Sequence, residues 1–289
     1  MKINNLNKVI IPIAGLGTRM LPATKAIPKE MLPIVNKPII QYVVEEIIES
    51  GFKEIIFITH SSKSSVENHF DQSFELETVL KKRVKRRLLE EIKSISNLKI
   101  SIQTIRQGQA LGLGHAILCA KPIVQKEPFA VVLPDMLIKK INEKNDLLEL
   151  KKEFETSGKS QILLGKIQKK DVSSYGIVKI QNKLIQSIVE KPSLKKAPSN
   201  LFVIGRYIFE NDFFKYLKNN KTSKSGEYEL TSAIQNYIND NNEIYSRKLS
   251  GNYYDCGNKL GYLKAIVDYA LEDEEHGKEF KKYLKNNYS

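Results

Sequence analysis

A glycine-containing loop, AGLGTRMLP, begins at Ala14 and follows the first apolar run of the chain. Gly15 and Gly17 allow the backbone to approach a ligand closely, and the amides of such a loop can bind phosphate oxygens. Arg19 and, further along, Lys29 supply the positive charge that a polyphosphate requires. These residue types suit a nucleoside triphosphate, although the spacing alone leaves a tight structural turn equally open.

Two familiar nucleotide-binding motifs do not fit this sequence. A dinucleotide fingerprint requires a small residue where Met20 stands, and no acidic residue follows at the usual spacing. A P-loop requires GxxxxGK[ST], and GKS does occur from Gly158 onward, but Glu153 occupies the position of the first glycine. We therefore interpret Gly158 as a helix cap.

Acidic residues stand at three further places where chemistry is possible. Asp135 comes directly after the apolar run FAVVLP, at the carboxyl end of a predicted strand, where α/β sheets usually bind their ligands. Asp255 lies far along the chain in YYDCGN, and the pair Glu190 and Lys191 follows another strand. Taken singly, such aspartates are more typical of turns or helix caps, and an isolated Glu-Lys pair is usually a hydrated strand end.

Strands and helices alternate through the first part of the chain, which predicts an α/β fold with a mostly parallel central sheet flanked by helices. The predicted strands are Lys8–Ala14, Glu54–Thr59, Lys99–Ile105 and Phe129–Leu133. The predicted helices are Ile39–Ser50, closed by Gly51, a long basic helix after the second strand, and about Gly114–Ala120.

After about residue 160 the pattern becomes richer in strands. Strands are predicted at Gln161–Ile167, Gly176–Ile180, Leu184–Val189 and Phe202–Phe209, and helices near Asn211–Lys218, Tyr228–Ile238, Lys259–Ala270 and at the end of the chain. No linker or repeat separates the two parts. We expect one domain over residues 1–289, with a nucleotide-binding half to about residue 160 and a substrate half from about residue 161.

The composition permits a large folded core and argues against several other classes of protein. Of the 289 residues 41% are hydrophobic, and the net charge of +13 includes the basic run KKRVKRR at Lys81–Arg87. Apolar residues recur around that run at three- and four-residue steps, which predicts an amphipathic helix with a solvated basic face. We therefore expect no nucleic-acid partner. These apolar residues are Leu76, Val79, Leu80, Val84, Leu88, Ile92 and Ile95.

The sequence contains no segment that predicts secretion, membrane insertion or a disulfide framework. The first residues, MKINNLNK, are polar, and the following apolar stretch is short and interrupted by Pro12 and Gly15. Cys119 and Cys256 lie far apart without a CxxC or Cys/His cluster, so neither a disulfide nor a zinc site is supported. We expect a cytoplasmic protein without a membrane partner.

The run GLGTRMLPATKAIPKEMLPIVNKPIIQYVVEE, from Gly15, resembles the N-terminal signature of the sugar-1-phosphate nucleotidyltransferases, and specifically the bacterial UTP–glucose-1-phosphate uridylyltransferases. The resemblance covers nearly the whole chain. It continues through THSSKSSVENHFDQSFELETVLKKRVKRRLLEEI, RQGQALGLGHAILCAKP, VVLPD, SSYGIV, VEKP, IGRY, ELT and YDCGNKLGY. It implies a Rossmann-like nucleotidyltransferase fold with a smaller β-rich sugar-binding part.

The resemblance also implies a reaction. UTP and glucose 1-phosphate would bind, a phosphate oxygen of the sugar phosphate would attack the α-phosphorus of UTP directly, and UDP-glucose and pyrophosphate would form. Mg²⁺ would be the cofactor, held by Asp135 and Asp255 with substrate oxygens completing its shell. Arg19, Lys29 and Asp135 would be the catalytic residues, and relatives imply a homodimer or homotetramer.

The resemblance assigns further residues to binding. Gln107 and Gly112 match positions that recognise the uracil ring, Glu190 would bind sugar hydroxyls, Lys191 the phosphate of glucose 1-phosphate, and the backbone of Gly176 the sugar. The expected nucleotide-binding residues are Ala14, Gly15, Gly17, Thr18, Glu30, Gln107 and Gly112.

Three residues depart from the family pattern, and two alternatives remain open. Leu111 replaces a lysine, Ser232 replaces the aspartate of LTDA, and Asn36 replaces the aspartate of DKP. The loop RQGQALGLGH is also similar to that of a weakly active, regulatory paralogue, and a thymidylyltransferase is the other alternative. The chain retains two features of the family pattern, Gly17-Thr18-Arg19 in the glycine loop and the pair Tyr175-Gly176. Their presence favours an active uridylyltransferase.

Overall fold

The computed structural model describes residues 6–60, 63–220, 222–223 and 226–288. Residues 1–5 of the polar N-terminal run and residues 61–62 of the THSS motif lie outside this description. The strands are β1 (Lys8–Pro12), β2 (Pro33–Ile34), β3 (Lys37–Pro38), β4 (Glu54–Thr59), β5 (Ser101–Arg106), β6 (Phe129–Val132), β7 (Met136–Lys139), β8 (Ser160–Lys166), β9 (Gly176–Gln181), β10 (Leu184–Glu190), β11 (Leu201–Phe209), β12 (Ile244–Lys248) and β13 (Asn252–Asp255).

The helices surround these strands, and short 3-10 turns lie at Thr18–Met20, Ala23–Lys25, Lys29–Met31 and Lys169–Ser174. The α-helices are α1 (Ile39–Glu49), α2 (Ser64–Phe70), α3 (Phe74–Lys82), α4 (Arg86–Ser96), α5 (Leu113–Cys119), α6 (Lys121–Val124), α7 (Asp146–Ser157), α8 (Phe213–Lys218), α9 (Leu230–Asn239), α10 (Lys259–Ala270) and α11 (Gly277–Tyr288). Among the described residues, no helix is both long and apolar enough to cross a membrane.

The central sheet has nine strands in the order β5-β4-β1-β6-β11-β8-β12-β10-β9. On the first side, β5, β4, β1 and β6 are parallel, as the alternation of strands and helices predicts. Their carboxyl ends therefore meet at one edge, where the glycine loop leaves β1 and the segment carrying Asp135 leaves β6.

The prediction of a mostly parallel sheet is wrong for the second side, and the sheet is mixed. Strand β11 runs antiparallel to β6 and β8, and β9 and β10 form an antiparallel hairpin. Its turn contains Asn182 and Lys183, both with positive φ, so the chain reverses without the crossover helix that parallel strands require. Strand β9 pairs back to β11, so that β11, β8, β12, β10 and β9 close into a small barrel.

Strand β11 joins the open sheet to this barrel. Leu201 and Phe202 pair with β9, whereas Arg206 and the residues after it pair with β6 along the same edge. Gly205 lies between these two sections with φ of +76°, and a Cβ there would lie 2.8 Å from the Leu133 Cβ. Both the left-handed backbone and the close approach require glycine at the change of partner.

Two apolar clusters cover the two faces of the sheet. Val9 and Ile11 of β1 belong to one cluster and Ile10, between them, to the other. This is the alternation expected of a strand buried on both faces. Helix α1 packs into the first cluster, and helices α5 and α9 pack into the second.

The predicted long basic helix is wrong as a single element. It is divided into α3 and α4, and the break between them contains Val84, whose φ is +56°. The two helices pack against each other, and α4 also packs against α2, an arrangement that one continuous helix could not form. Leu76, Val79 and Leu88, which the helical periodicity assigned to a buried face, are between 42% and 44% exposed.

Candidate active site

The glycine loop folds into the short 3-10 turn Thr18–Met20. Gly17 starts this turn with φ of +65°, a left-handed conformation that favours glycine. Its carbonyl accepts hydrogen bonds from the Met20 amide at 3.0 Å and from the Thr24 hydroxyl at 2.7 Å. Buried Met20 anchors the turn in the core, and the neighbouring Arg19 faces the cleft described below.

Other residues predicted to bind the nucleotide differ in their exposure. Gly15 and Thr18 are exposed, and Ala14 is buried two residues after the end of β1. Glu30 is 1% exposed, and its Oε2 lies 2.8 Å from the ammonium of Lys63. Its Oε1 is buried without a hydrogen-bond partner among the described residues. The structure therefore places Glu30 in a buried ion pair, and its contact with a nucleotide stays a prediction.

Lys29 and Asp135 form a close ion pair of 2.6 Å, with side chains only 17% and 16% exposed. Burial acts to raise the pKa of Asp135, but the charge and hydrogen bond of Lys29, together with the charge of Arg19, hold this pKa below its ordinary value. Burial acts to lower the pKa of Lys29, yet the charges of Asp135 and Glu30 raise it above its ordinary value. Each partner thus keeps the other charged.

The second aspartate reaches the same place through strand pairing. In the β7–β13 ladder, Asp255 lies opposite Met136, and the Cys256 amide donates to the Asp135 carbonyl at 2.8 Å. The Asp255 carboxylate accepts hydrogen bonds from the Tyr175 hydroxyl and from the backbone amide two residues further on, both at 2.9 Å. Burial, followed by the charge of Asp255, raises the pKa of Tyr175, so its hydroxyl remains a donor.

Gly257 leaves a small space between the two carboxylates. A Cβ at this position would lie 2.8 Å from Asp135 Oδ2, 2.9 Å from Asp255 Oδ1 and 3.4 Å from Arg19 Nη2. Carboxylate oxygens that share one point are suitable ligands for a hard divalent cation. Among the described residues, no group of three or more His, Cys, Asp or Glu side chains could hold a metal, so oxygens from a substrate would have to complete the shell.

A cleft of about 270 Å³ joins these residues to the barrel. Arg19, Asp135 and Asp255 line one end of it, and the ends of β9 and β10 line the other. The residues predicted to contact the sugar phosphate, Gly176, Glu190 and Lys191, also line this cleft. The structure therefore brings together the predicted metal and sugar-phosphate residues, although they come from distant parts of the sequence.

The barrel end of the cleft is built by the β9–β10 hairpin. Gly176 lies opposite Glu190 in this pairing, and a Cβ on Gly176 would lie 3.0 Å from the Thr231 Cγ2. The Lys191 amide donates to the Tyr175 carbonyl at 3.0 Å. The ammonium of Lys191 lies 3.3 Å from Glu190 Oε1, and its side chain is 62% exposed. Close packing therefore favours glycine at 176, whereas Lys191 extends toward solvent.

Gln107 and Gly112 form a separate corner beside Leu113, which lines the cleft. Gln107 is 4% exposed, and its Nε2 donates to the Gly112 carbonyl at 3.2 Å and contacts His115 Nδ1 at 2.9 Å. Since a carbonyl oxygen can only accept, the Gln107 amide is oriented, and His115 Nδ1 must accept. Gly112 has φ of +91°, and a Cβ there would lie 2.8 Å from the Glu227 Cβ.

The three departures from the family pattern lie in three different surroundings. Leu111 is half-buried, and its carbonyl accepts a hydrogen bond from the Tyr228 amide at 2.8 Å. Ser232 donates to Glu229 Oε2 at 3.2 Å in the first turn of α9. Asn36 is exposed in the turn between β2 and β3. None of the three is among the described residues that line the cleft.

Sequence reasoning missed several residues that shape the site. Gly257 stands two residues after Asp255 in the motif DCGN, and this spacing could have suggested that the glycine lies beside the predicted metal ligand. Tyr175 was noted only as part of a family motif, without its bond to Asp255. Thr231 lines the cleft, and its buried Oγ1 has no hydrogen-bond partner among the described residues. Lys63 carried no local signal, because its partner Glu30 is distant in the sequence.

Comparison with protein families and curated proteins gives a consistent result. Residues 8–272 match the family model described as nucleotidyl transferase. The chain is 48% identical, over 96% of its length and 98% of the relative's, to a UTP–glucose-1-phosphate uridylyltransferase of Haemophilus influenzae.

Solved structures agree with this comparison. The chain superposes with a TM-score of 0.90 on a UTP-bound UGPase from Acinetobacter baumannii, at 44% identity, covering 98% of this chain and 100% of that one. It superposes with a TM-score of 0.83 on a UDP-glucose pyrophosphorylase complexed with UDP-glucose, at 36% identity, covering 93% and 100% of the two chains.

Proposed function

The chain belongs to the nucleotidyl transferase family, and we propose that it transfers UMP from UTP to glucose 1-phosphate, giving UDP-glucose and pyrophosphate. The observation that carries this function is the cleft, which is lined by Asp135, the ion-pair partner of Lys29, by Asp255, and by Glu190 and Lys191. Arg19 and Lys191 supply positive charge to this cleft, and a divalent cation held by Asp135 and Asp255 would add more for two anionic substrates. Relatives that carry this activity by name match the chain over almost its full length.

The triphosphate of UTP is proposed to lie on the glycine loop. The amides around Gly15 and Thr18, on the exposed part of the loop, would bind phosphate oxygens, and Gly17 maintains the turn. Arg19, at the cleft, can donate two hydrogen bonds to neighbouring oxygens, whereas Lys29 acts as a buried point charge. These cations would stabilise the charge that develops as pyrophosphate leaves.

Gln107 is proposed to read the uracil ring. Its NH₂ group is directed toward the Gly112 carbonyl and His115 Nδ1, which leaves the amide oxygen as the acceptor for the N3–H of uracil. Cytosine lacks this N–H, so the same orientation would reject CTP. His115 thus supports the selection by accepting a hydrogen bond rather than by touching the base.

The sugar phosphate is proposed to lie at the barrel end of the cleft. Glu190 would accept hydrogen bonds from sugar hydroxyls, the backbone at Gly176 would contact the ring, and Lys191 would bind the phosphate. In the reaction, a phosphate oxygen of glucose 1-phosphate forms a bond to the α-phosphorus of UTP, and the bond to the β-phosphate oxygen breaks. No general base is required, because the attacking phosphate is already ionised.

Magnesium fits the pair of carboxylates that faces the space beside Gly257. Asp135 and Asp255 would hold the ion, and when bound it would neutralise phosphate oxygens of the substrates. The Tyr175 hydroxyl, which donates to one oxygen of Asp255, orients this carboxylate. In this proposal, the nucleotide half, to about residue 160, would bind UTP, and the substrate half, from about residue 161, would bind glucose 1-phosphate. Each half would supply one of the two aspartates that hold the metal.

The test is pyrophosphate release by the purified chain with UTP, glucose 1-phosphate and Mg²⁺. We expect release only when all three are present and none with EDTA. Faster turnover of dTTP than of UTP at equal concentration would establish a thymidylyltransferase instead. Folded protein that binds UTP but releases no pyrophosphate would establish the weakly active, regulatory type of subunit. Sedimentation of the same sample would test the predicted homodimer or homotetramer.

A further inference from the structure

Arg206 of β11 is fully buried and makes an unusually complete set of contacts. Its Nε and Nη2 donate to the two oxygens of Glu46 on α1, at 3.1 and 2.6 Å. The exposed fractions of the two side chains are 0% and 11%. The same guanidinium also donates to the carbonyls of Leu133, Gly205 and Met136, at 3.2, 3.3 and 2.9 Å.

Stability alone does not account for such a pair. Two charges lose much hydration when they are buried, and apolar residues of similar volume are often as stabilising. The guanidinium differs from an apolar side chain because it can satisfy several backbone carbonyls at once. Its contacts with Leu133 and Met136 join the two ends of the short connection between β6 and β7.

These carbonyls lie on either side of Asp135. Strand β6 ends at Val132 and β7 begins at Met136, so Asp135 is carried by the short connection between them. The Leu133 amide donates to the Gly205 carbonyl at 2.9 Å, which adds a second bond from β11 to this connection. Arg206 is not among the described residues that line the cleft. Its influence on the site must therefore pass through the backbone that carries Asp135.

We propose that Arg206, held by Glu46, is a positioning residue that sets the carboxylate of Asp135 for the metal and the triphosphate. This inference rests on the proposed function and deepens it. Arg206 fixes the backbone on both sides of the aspartate, and Glu46 fixes the guanidinium. Removing a group that hydrogen-bonds directly to a metal ligand typically changes metal affinity or activity by about 10-fold to 100-fold, and we take the lower end of this range for Arg206, which acts through the backbone.

The test compares Arg206→Lys and Glu46→Gln with the unmodified chain. Lysine keeps the charge but cannot bind Glu46 and the carbonyls together, and glutamine keeps an oxygen acceptor without the charge. For Arg206→Lys we expect the Mg²⁺ concentration for half-maximal turnover to rise by about 10-fold or more, and kcat to fall. For Glu46→Gln we expect a smaller change in the same direction. KM for glucose 1-phosphate should stay nearly constant for both.

Arg247→Lys is the matched control, because Arg247 of β12 forms ion pairs with Glu153 at 2.8 Å and Asp146 at 3.6 Å on α7, and it is not among the described residues that line the cleft. Its melting temperature should fall without a change in the Mg²⁺ requirement. Calorimetric titration with UDP-glucose, with and without Mg²⁺, gives a second readout, which is the increase in affinity that Mg²⁺ causes. Only the Arg206 and Glu46 variants should lose part of this Mg²⁺-dependent gain in affinity.

Three outcomes separate the possibilities. If the unmodified chain is inactive, the proposed function fails. Suppose instead that the unmodified chain is active. The positioning role is then overturned if the Arg206→Lys variant folds and keeps both the same Mg²⁺ requirement and the same Mg²⁺-dependent increase in affinity for UDP-glucose. If Arg206→Lys does not fold, Glu46→Gln decides: an unchanged Mg²⁺ requirement and calorimetric gain overturn the role, and a raised requirement with a smaller gain supports it.

Discussion

The carboxylates of two lysine–carboxylate ion pairs line the same cleft, but the two pairs differ in their surroundings. The Lys29–Asp135 pair is 2.6 Å long, and both side chains are less than one-fifth exposed. The Lys191–Glu190 pair is 3.3 Å long, and its lysine side chain is 62% exposed. Charges interact more strongly where water is excluded, whereas exposed pairs contribute only about 0–1 kcal/mol. Identical chemical groups are therefore expected to contribute differently to catalysis.

The difference follows from where the two pairs lie in the fold. Asp135 lies in the connection that follows β6 of the parallel part of the sheet, directly before β7, which pairs with β13. Glu190 and Lys191 leave the end of a barrel hairpin, where solvent enters the cleft. The buried pair is thus held in place by its surroundings, whereas we expect the more exposed pair to be held less tightly until a substrate binds. We expect loss of turnover at the first pair and loss of substrate affinity at the second.

The largest effect is expected from Asp135→Asn. The amide weakens a proposed metal ligand and leaves the buried ammonium of Lys29 without a charged partner. Turnover should fall by about 10²- to 10³-fold, as for other lost electrostatic contacts to a developing charge. Pyrophosphate release over a range of Mg²⁺ concentrations measures it, with the melting temperature as a check of folding. Near-normal turnover at limiting Mg²⁺ would remove Asp135 from the metal site.

Gly257→Ala should have the next largest effect. The added methyl group would occupy the space between the carboxylates of Asp135 and Asp255. The Mg²⁺ concentration for half-maximal activity should rise by about 10-fold to 100-fold, the range found when metal surroundings are altered. Gly108→Ala is the matched control, because a Cβ there meets no atom within 4 Å. Equal Mg²⁺ requirements for the two alanine variants would contradict the assignment of this space.

Tyr175→Phe tests whether the two regions are coupled. Its hydroxyl donates to Asp255 at 2.9 Å, and its carbonyl accepts from the Lys191 amide at 3.0 Å. Phenylalanine removes only the first bond, so kcat should fall by about tenfold, as expected for a lost hydrogen bond to a charged group. KM for glucose 1-phosphate should remain similar. A rise in that KM with unchanged kcat would show that Tyr175 serves the sugar side instead.

The smallest effect is expected from Lys191→Ala. This lysine is mostly exposed, so its contact with the phosphate of glucose 1-phosphate should contribute about 1 kcal/mol, or roughly a fivefold increase in KM. Saturation curves for both substrates measure it, and KM for UTP should not change. A loss of turnover as large as that of Asp135→Asn would contradict the contrast between the buried and exposed pairs.

Local sequence patterns predicted individual elements well. The bounds of β4 and α10 agree with prediction, and α1 ends one residue before the predicted end, with Gly51 in the left-handed region after it. Gly158 caps α7 as expected, with φ of +67°. These features depend on neighbours three or four residues away, or on one residue's conformational freedom, so the sequence contains enough information to predict them.

Pairings between distant segments were not predictable in the same way. The short strands β7 and β13 were missed, although their pairing brings Asp255 to Asp135. The mixed character of the sheet was also not predicted, because an apolar alternating run reads the same in parallel and antiparallel sheets. The residue types at the site were named from a family resemblance, and their joint action in this chain stays a prediction.

The sequence by itself determined the glycine loop and most of the main strands and helices, and its family resemblance named the residues predicted to bind phosphate and metal. Only the tertiary structure decided that Lys29 is buried against Asp135, that Gly257 leaves space beside two carboxylates, and that Arg206 binds the backbone around Asp135. The physical reason is that burial and pairing depend on which distant segments meet. Those contacts determine the pKa of a carboxyl group and the work it can do.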